Sequence, residues 1–443
     1  MKFLQLNKLE GNKRKILTNV AWATMGKVVN MAGALFVGIL VARYLGPEQY
    51  GLMNYVISYV MLFTVVSSFG LDNIEIRELA KKPEERHAIL GTCFGLRWVF
   101  SLLAFFLIVV TLIVRQTDAF TTTMILVYSS TLFLQNFNVI RNYFFSIVKN
   151  EYVVKTEVFR TLIGAAIKIF LLLMKAPLAL FIIATAFDAL LIASGYSIAY
   201  RRMVGKMGQW HFDRQRVAFL VRESFPLVLS GAAVIIYQRI DQVMIGDMID
   251  SESVGYFATA GKFLDIILFV PMVLTQTIAP LLVSQREVMP KEEFMKKKIQ
   301  FVGMVVWCSI LLSLLFSLCS RLFIMMTFGM EYIAAVPVLK IMSWKTVGMA
   351  LSFSAGQIII MEGIQKYAVI RNLMGCVACV GLNLIVLPRY GIIGSAWVTI
   401  ITTSITGFFG NLLIPAYHGI FKLQVTALLN GWREVANIRS LLR

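Results

Sequence analysis

The sequence predicts an all-α polytopic membrane protein with about twelve transmembrane helices. The first observation is composition: of 443 residues, 58% are hydrophobic and only 15% are charged, whereas soluble domains carry about 25% charged residues. The second is a helix-reversal motif that occurs twice, half a chain length apart. The third is a regular alternation of positive charge between the apolar runs. Together they indicate two similar halves of membrane-spanning helices.

Apolar runs of about 20 residues, the length that crosses a bilayer, define the predicted spans. The first six run roughly over 16–42, 51–71, 88–114, 120–147, 156–175 and 177–200. The second six run roughly over 218–246, 254–283, 299–325, 334–361, 368–387 and 391–416. They predict a basic N-terminus (1–15), an N-lobe (16–200), a linker (201–217), a C-lobe (218–416) and an amphipathic tail (417–443).

Positive charge supports this count and predicts an orientation. The even-numbered gaps and both ends hold about six times as many Lys and Arg residues as the odd-numbered gaps, and positive charge stays on the cytoplasmic side. Both termini are therefore expected in the cytoplasm, with no cleavable signal. Hydrophobic residues of the tail recur every three or four positions with basic residues between them, which predicts a helix lying on the inner leaflet. The formal charge of +18 falls in short loop clusters, so nucleic acid is not an expected partner.

The repeated motif is a sharp reversal between two helices. In the first half, Gly46-Pro47 ends the first helix and Gly51 begins the next, because proline disfavours helical backbone in the residue before it. In the second half, Gly255 takes the place of Gly51. We interpret Gly46, Pro47, Gly51 and Gly255 as hinge or reversal positions.

Charged residues within or beside the spans are the candidate functional groups, because a charge in hydrocarbon must pair, snorkel to the interface or face a cavity. The candidates for a cationic substrate-binding cavity are Lys27, Arg97, Lys168, Arg239 and Lys262; the candidates for ion coupling are Asp188, Asp241 and Asp265. Lys27 lies midway along the first span, too deep to snorkel easily. The excess of cations favours an anionic substrate.

Two alternatives stand beside this interpretation of the charges. Arg97 lies near a predicted span end, where snorkelling is a strong explanation of the charge, and for Lys168 snorkelling and function are about equally supported. Asp241 and Lys262 are at comparable depths of adjacent antiparallel helices, and Lys262 shares a helix face with Asp265 at i,i+3. Structural salt bridges therefore explain this second cluster about as well as a substrate or ion site does.

Enzymatic and cofactor chemistry find little support. No GxxxxGK[ST] motif is present, so ATP-driven transport on this chain is not expected. Cys376 and Cys379 have a metal or redox spacing, but they lie within a span without a second pair or a histidine nearby, which is typical of packing residues. We expect no enzyme activity, no metal and no cofactor.

Three segments resemble a known family. They are similar to segments of polysaccharide-repeat (Wzx-type) flippases of the multidrug/oligosaccharidyl-lipid/polysaccharide exporter superfamily. The opening segment contains VARYLGPEQYG (41–51) followed by FGLDNIEIRELA (69–80), the middle one is RIDQVMIGDMIDSESVGYFATAGKF (239–263), and the last is PRYGIIGSAWVTIITTS (388–404). The resemblance extends over nearly the whole chain and implies two six-helix lobes around a central cavity that opens to alternate sides.

The resemblance also implies a function. Such a protein moves an undecaprenyl-diphosphate-linked oligosaccharide repeat unit from the inner to the outer leaflet of the bacterial inner membrane, for O-antigen or capsule assembly. Coupling to H⁺ or Na⁺ as an antiporter, and contact with the polysaccharide polymerase and chain-length machinery, are further expectations. The alternatives are a multidrug or other small-molecule exporter on the same scaffold, and a glycan polymerase or ligase, which the short extracytoplasmic loops disfavour.

Overall fold

The computed structural model describes the backbone of residues 2–286 and 289–432, and side chains in these ranges from residue 31 onward except at 34 and 284. Within this part of the chain all regular structure is helical, and the prediction of an all-α polytopic membrane protein is confirmed. Each predicted span falls mainly on helical backbone. The agreement follows from hydrophobicity: without water to solvate it, a spanning backbone must satisfy its own hydrogen bonds.

The helices of the first half are α1 Lys2–Ser68, α2 Leu71–Lys81, α3 Arg86–Arg115, α4 Ala119–Leu134, α5 Asn138–Ser146, α6 Asn150–Leu173 and α7 Leu178–Met203. Those that follow are α8 Arg214–Met248, α9 Ser251–Gln285, α10 Lys291–Leu318, α11 Ser320–Thr327, α12 Ala335–Met342, α13 Lys345–Glu362, α14 Ala368–Ser404, α15 Gly410–Leu413 and α16 His418–Asn430. A π-helical turn, Ile405–Phe409, joins α14 to α15.

Seven stretches of the described chain are long and apolar enough to cross a membrane. They are Met31–Lys81, Pro83–Arg115, Leu178–Met203, Arg214–Met248, Ser251–Val283, Lys291–Leu318 and Gln365–Leu413. The first and the last contain glycines with non-helical backbone, Gly46 (φ 72°) and Gly391 (φ 58°), so α1 and α14 each hold two helical segments. The predicted reversal at Gly46 coincides with the first of these bends.

The chain divides into two compact units. Unit 1 comprises Met1–Tyr44 and Tyr59–Gly231, and unit 2 comprises Leu45–Ser58 and Ala232–Arg443. The helical segment that follows the Gly46 bend thus groups with unit 2, away from its neighbours in sequence. α8 contributes to both units, because the division falls at Gly231 within it.

The predicted linker, 201–217, is fixed to unit 1. The backbone N–H of Asp213 donates to Oγ1 of Thr92 at 2.9 Å, and that of His211 donates to the carbonyl of His87 at 3.4 Å. A Cβ atom on Gly91 would lie 2.3 Å from the carbonyl oxygen of His211. The segment therefore packs closely along α3, and this close approach is possible because Gly91 has no side chain.

The tail helix α16 differs from the prediction of a helix on the inner leaflet. It buries Ile420, Leu423 and Ala427 in the core of unit 2, beside residues of α10 and α13. Gln424 lies in the same face, and its Nε2 donates to the carbonyls of Leu351 and Gly407. This face is therefore covered by protein. The prediction for residues 433–443 lies outside the described part of the chain.

Candidate functional site

Arg97 is held in a buried ionic network of unit 1. Its Nε donates to Oε1 of Glu75 at 2.7 Å and its Nη2 to Oδ1 of Asp72 at 2.8 Å. Asn142 donates from its amide to both carboxylates. Arg97 and Glu75 expose only 2% and 0% of their surface. The network joins α2, α3 and α5, and its two carboxylates neutralise the Arg97 charge within unit 1.

Two further candidates pair with each other. Nζ of Lys168 on α6 lies 2.6 Å from Oδ2 of Asp188 on α7. The helices approach closely at this point, since a Cβ on Gly164 would lie 2.2 Å from the Asp188 carboxylate. The pair therefore joins the two helices, and each charge has the other as its partner. The side chain of Lys27 lies outside the described residues.

Three charged candidates of unit 2 have no bonded partner in the described chain. Arg239 and Lys262 are partly buried and Asp265 is exposed, and none of them forms an ion pair or a hydrogen bond with the described residues. The i,i+3 spacing of Lys262 and Asp265 does not bring them into a salt bridge, and Lys262 does not pair with Asp241. The charges of Arg239 and Lys262 are thus not neutralised by a direct contact in the described chain.

Asp241 is the most enclosed of the acidic candidates. It exposes 2% of its surface; its Oδ1 accepts a hydrogen bond from Nδ2 of Asn383 at 2.6 Å and a weaker one from the Cys379 thiol at 3.2 Å. The buried ammonium of Lys345 attracts it electrostatically without forming an ion pair. A buried carboxylate with neutral donors and only a more distant cation can bind a proton or a small cation at little structural cost.

Oxygen atoms around Asp241 fit a hard cation. Oδ1 of Asn383 is enclosed and accepts no hydrogen bond, and the Thr402 hydroxyl lies beside the Cys379 thiol that contacts Asp241. Carboxylate, amide and hydroxyl oxygens are the ligands that such cations take. Within the described residues there is no group of three or more His, Cys, Asp or Glu side chains that could hold a metal. Asn383 is not among the predicted site residues, because those were charged side chains. The signal was the four-residue spacing of Arg371, Gly375, Cys379 and Asn383 along one buried face of α14.

The two reversal motifs pack against each other within unit 2. A Cβ on Gly51 would lie 1.7 Å from the carbonyl oxygen of Ser251, and a Cβ on Gly255 would lie 2.1 Å from that of Pro47. A shift of 204 residues relates Gly51 to Gly255 and Pro47 to Ser251. Each glycine therefore contacts the residue that corresponds to the other's contact, as at an interface between two equivalent surfaces.

Hydrogen bonds extend this contact, which we call the hairpin contact, from the helical segment after Gly46 to α8, the helix that precedes α9. The Tyr55 hydroxyl donates to Oδ1 of Asp247 at 2.7 Å, and the Ser58 hydroxyl donates to Oε1 of Gln242 at 2.5 Å. Tyr55 and Ser58 lie about one and two turns beyond Gly51. Close backbone approach at the glycines and polar bonds beyond them make the hairpin contact specific.

Solved structures with the same fold are membrane transporters. The lipid II flippase MurJ, in an inward closed conformation, superposes with a TM-score of 0.71 at 14% identity, over 93% of this chain and 91% of that one. An inward-facing multidrug resistance MATE family transporter of the MOP superfamily gives 0.58 at 16% identity, over 93% and 95%. A MOP superfamily transporter from Pyrococcus furiosus, described as having a binding pocket of reverse polarity, gives 0.56 at 15% identity, over 97% of each chain.

The sequence comparisons identify the family. No curated protein sequence matches this chain. A family model described as polysaccharide biosynthesis protein matches residues 16–286, which is more than half of the chain and covers the first reversal motif, the Arg97 network, Asp241 and the second reversal motif. This multi-pass chain, whose fold is similar to that of MurJ and MATE transporters, is a member of the polysaccharide biosynthesis protein family.

Proposed function

We propose that this protein is a flippase that moves an undecaprenyl-diphosphate-linked oligosaccharide repeat unit from the cytoplasmic to the outer leaflet of the bacterial inner membrane, for O-antigen or capsule assembly. The match to the polysaccharide biosynthesis family carries the proposal. Such a substrate bears a diphosphate, and Arg239 and Lys262 are cations without a bonded partner in the described chain. Lys27 is proposed as a third contact to this anion.

We propose that the hairpin contact is made and broken during transport. Alternating access needs a contact that is close-packed in one state and separable in the other. Opposed glycines provide close packing, and the two hydrogen bonds beyond them can be exchanged for bonds to water at small net cost. In this proposal the lobes are 16–200 and 218–416, both termini are cytoplasmic, and the polysaccharide polymerase and chain-length machinery receive the product.

We further propose that Asp241 couples transport to H⁺ or Na⁺. Of the three acidic candidates, Asp188 is paired with Lys168 and Asp265 is exposed. Only Asp241 combines burial, neutral hydrogen-bond donors and a nearby amide oxygen that accepts no hydrogen bond. The residues Asp241, Asn383 and Thr402 would hold the ion. When bound, the ion supplies a positive charge that cancels the buried carboxylate.

A deletion strain of the native host tests the flippase function. Surface polysaccharide is separated on a gel, and the undecaprenyl-linked oligosaccharide is assayed in inverted and right-side-out vesicles. Loss of surface polymer, with single repeat units retained on the cytoplasmic leaflet, is the expected result. Normal surface polymer, or unpolymerised repeats on the outer leaflet, would contradict the proposal. Resistance to cationic drugs on overexpression would instead favour the small-molecule exporter, whose fold is the same.

Neutralising the unpaired cations tests recognition of the diphosphate. The double variant Arg239→Gln/Lys262→Gln is expected to reduce transport about tenfold or more, since a hydrogen bond to a charged group contributes about 1.5–3 kcal/mol. The measurement is translocation of the lipid-linked repeat in proteoliposomes. Arg321→Gln, which removes an exposed cation elsewhere in unit 2, is the control and should transport normally. If the double variant translocates the repeat unit as fast as Arg321→Gln does, Arg239 and Lys262 do not belong to the substrate site.

Replacing Asp241 tests the coupling. Asp241→Asn keeps the side-chain volume and removes the charge, so transport should lose its dependence on a proton or sodium gradient. The matched control is Asp265→Asn, an exposed acid on α9, which should keep that dependence. The measurement is transport into vesicles with and without each imposed gradient. A gradient response that survives in Asp241→Asn would place the ion site elsewhere.

A further inference from the structure

Arg371 is a buried cation that no protein group compensates. It lies in the first turn of α14 and exposes 7% of its surface. Its Nε and Nη1 atoms are enclosed and make no hydrogen bond, and no acidic side chain of the described chain forms an ion pair with it. A buried charge without a partner costs several kcal/mol, so its presence points to a ligand.

The surroundings of Arg371 are made for its side chain but supply no anion. Gly410 leaves the necessary room, because a Cβ there would lie 3.1 Å from Cγ of Arg371. The phenol groups of Tyr237 and Tyr417 are near enough to interact electrostatically, yet the Tyr417 hydroxyl donates to the carbonyl of Ile364 at 3.1 Å. The carboxylate of Asp241 contacts Cys379 instead. Cys379 lies two turns beyond Arg371 on α14, which is about 12 Å along the helix axis at 1.5 Å per residue.

The backbone adds positive potential at the same place. The first helical segment of α14 runs from Ala368 to the bend at Gly391, and the preceding residue, Tyr367, makes no side-chain capping hydrogen bond. A 3₁₀ turn, Gln365–Tyr367, leads into it, and the backbone N–H of Ala368 donates to the carbonyl of Gln365. The N-terminus of a long helix carries a partial positive charge and favours phosphate or carboxylate groups. An uncompensated guanidinium in the first turn strengthens this preference, since guanidinium groups are common phosphate ligands.

We infer that Arg371, in the first turn of α14, forms a binding site for a phosphate group. The phosphate belongs either to a lipid headgroup or to free inorganic phosphate, and the chemistry of the site is the same for both. The inference does not depend on the proposed function, because it rests on the burial and the missing partner of Arg371. An acidic lipid held there would link unit 2 to the composition of the surrounding leaflet.

Native mass spectrometry of the full-length protein in detergent tests the inference. The probes are phosphatidylglycerol, with phosphatidylcholine for comparison, and inorganic phosphate, whose effect is measured as a shift in thermal unfolding. Phosphatidylglycerol adducts that exceed those of phosphatidylcholine identify a headgroup site, and stabilisation by inorganic phosphate alone identifies a free-anion site. Wild-type protein that responds to none of these probes overturns the inference without any variant.

Two variants localise the site. Arg371→Gln should weaken the preferred probe about tenfold or more, as expected for the loss of charge-assisted hydrogen bonds, whereas Arg371→Lys should weaken it less. Lys366→Gln removes an exposed cation five residues away and should leave binding unchanged. Equal loss in Arg371→Gln and Lys366→Gln would mean non-specific attraction and overturn the assignment. If Arg371→Gln does not fold, the comparison of Arg371→Lys with wild type decides the question.

Discussion

Gly51→Ala and Gly255→Ala are each expected to abolish most transport, because a single methyl group cannot be accommodated in the hairpin contact. The added Cβ would lie 1.7 Å from a backbone oxygen in the first case and 2.1 Å in the second. Backbone atoms cannot give way as the end of a flexible side chain can, and overpacking typically costs about 1–3 kcal/mol or more. Since 1.4 kcal/mol changes a population tenfold, the close-packed state would be strongly depleted.

The chain offers matched controls for both substitutions. Gly38 lies on α1 and Gly261 on α9, and a Cβ at either position would meet no atom within 4 Å. Gly38→Ala and Gly261→Ala should therefore transport normally. The close-packed state is measured by cross-linking a cysteine pair at Glu48 and Ser251, which lie beside the hairpin contact. Wild-type cross-linking in Gly51→Ala, together with wild-type transport, would show that the hairpin contact is not needed.

Fold class could be predicted from the sequence because its signal is local. Hydrophobicity predicts each span, and a Gly-Pro pair predicts a bend such as that at Gly46. The correspondence between Gly51 and Gly255 was also visible in the sequence. That the two motifs contact each other was not, since a repeat relates residues in sequence without stating whether they meet in space.

The partners of the buried charges could not be predicted. Arg97 finds Glu75 and Asp72 on a neighbouring helix, and Asp241 finds Asn383, a neutral residue 142 positions away. Helix rotation about its own axis decides which of these faces meet, and hydrophobicity varies too little around a membrane helix to determine that rotation. Residue type therefore identifies which side chains are charged, whereas the partners of those charges depend on tertiary contacts.

Arg97→Gln is expected to destabilise unit 1 strongly, whereas loss of a substrate contact would leave stability unchanged. Removing the guanidinium leaves the Glu75 carboxylate, which exposes none of its surface, without a positively charged partner. Breaking a buried ion pair in this way costs about 3–5 kcal/mol. The measurement is the fraction of monodisperse protein that survives heating in detergent. Lys155→Gln breaks an exposed ion pair with Glu151 on α6 and should cost about 0–1 kcal/mol.

A double variant separates the structural role of Arg97 from a role in binding. Arg97→Leu/Glu75→Leu removes both charges, and such replacement by apolar residues is often neutral or stabilising. Asp72 keeps Asn142 and Arg141 as partners in this variant. Recovered stability together with recovered transport would establish that Arg97 acts through folding. Recovered stability without recovered transport would instead return Arg97 to the substrate site, because the folded variant would then lack only the charges of Arg97 and Glu75.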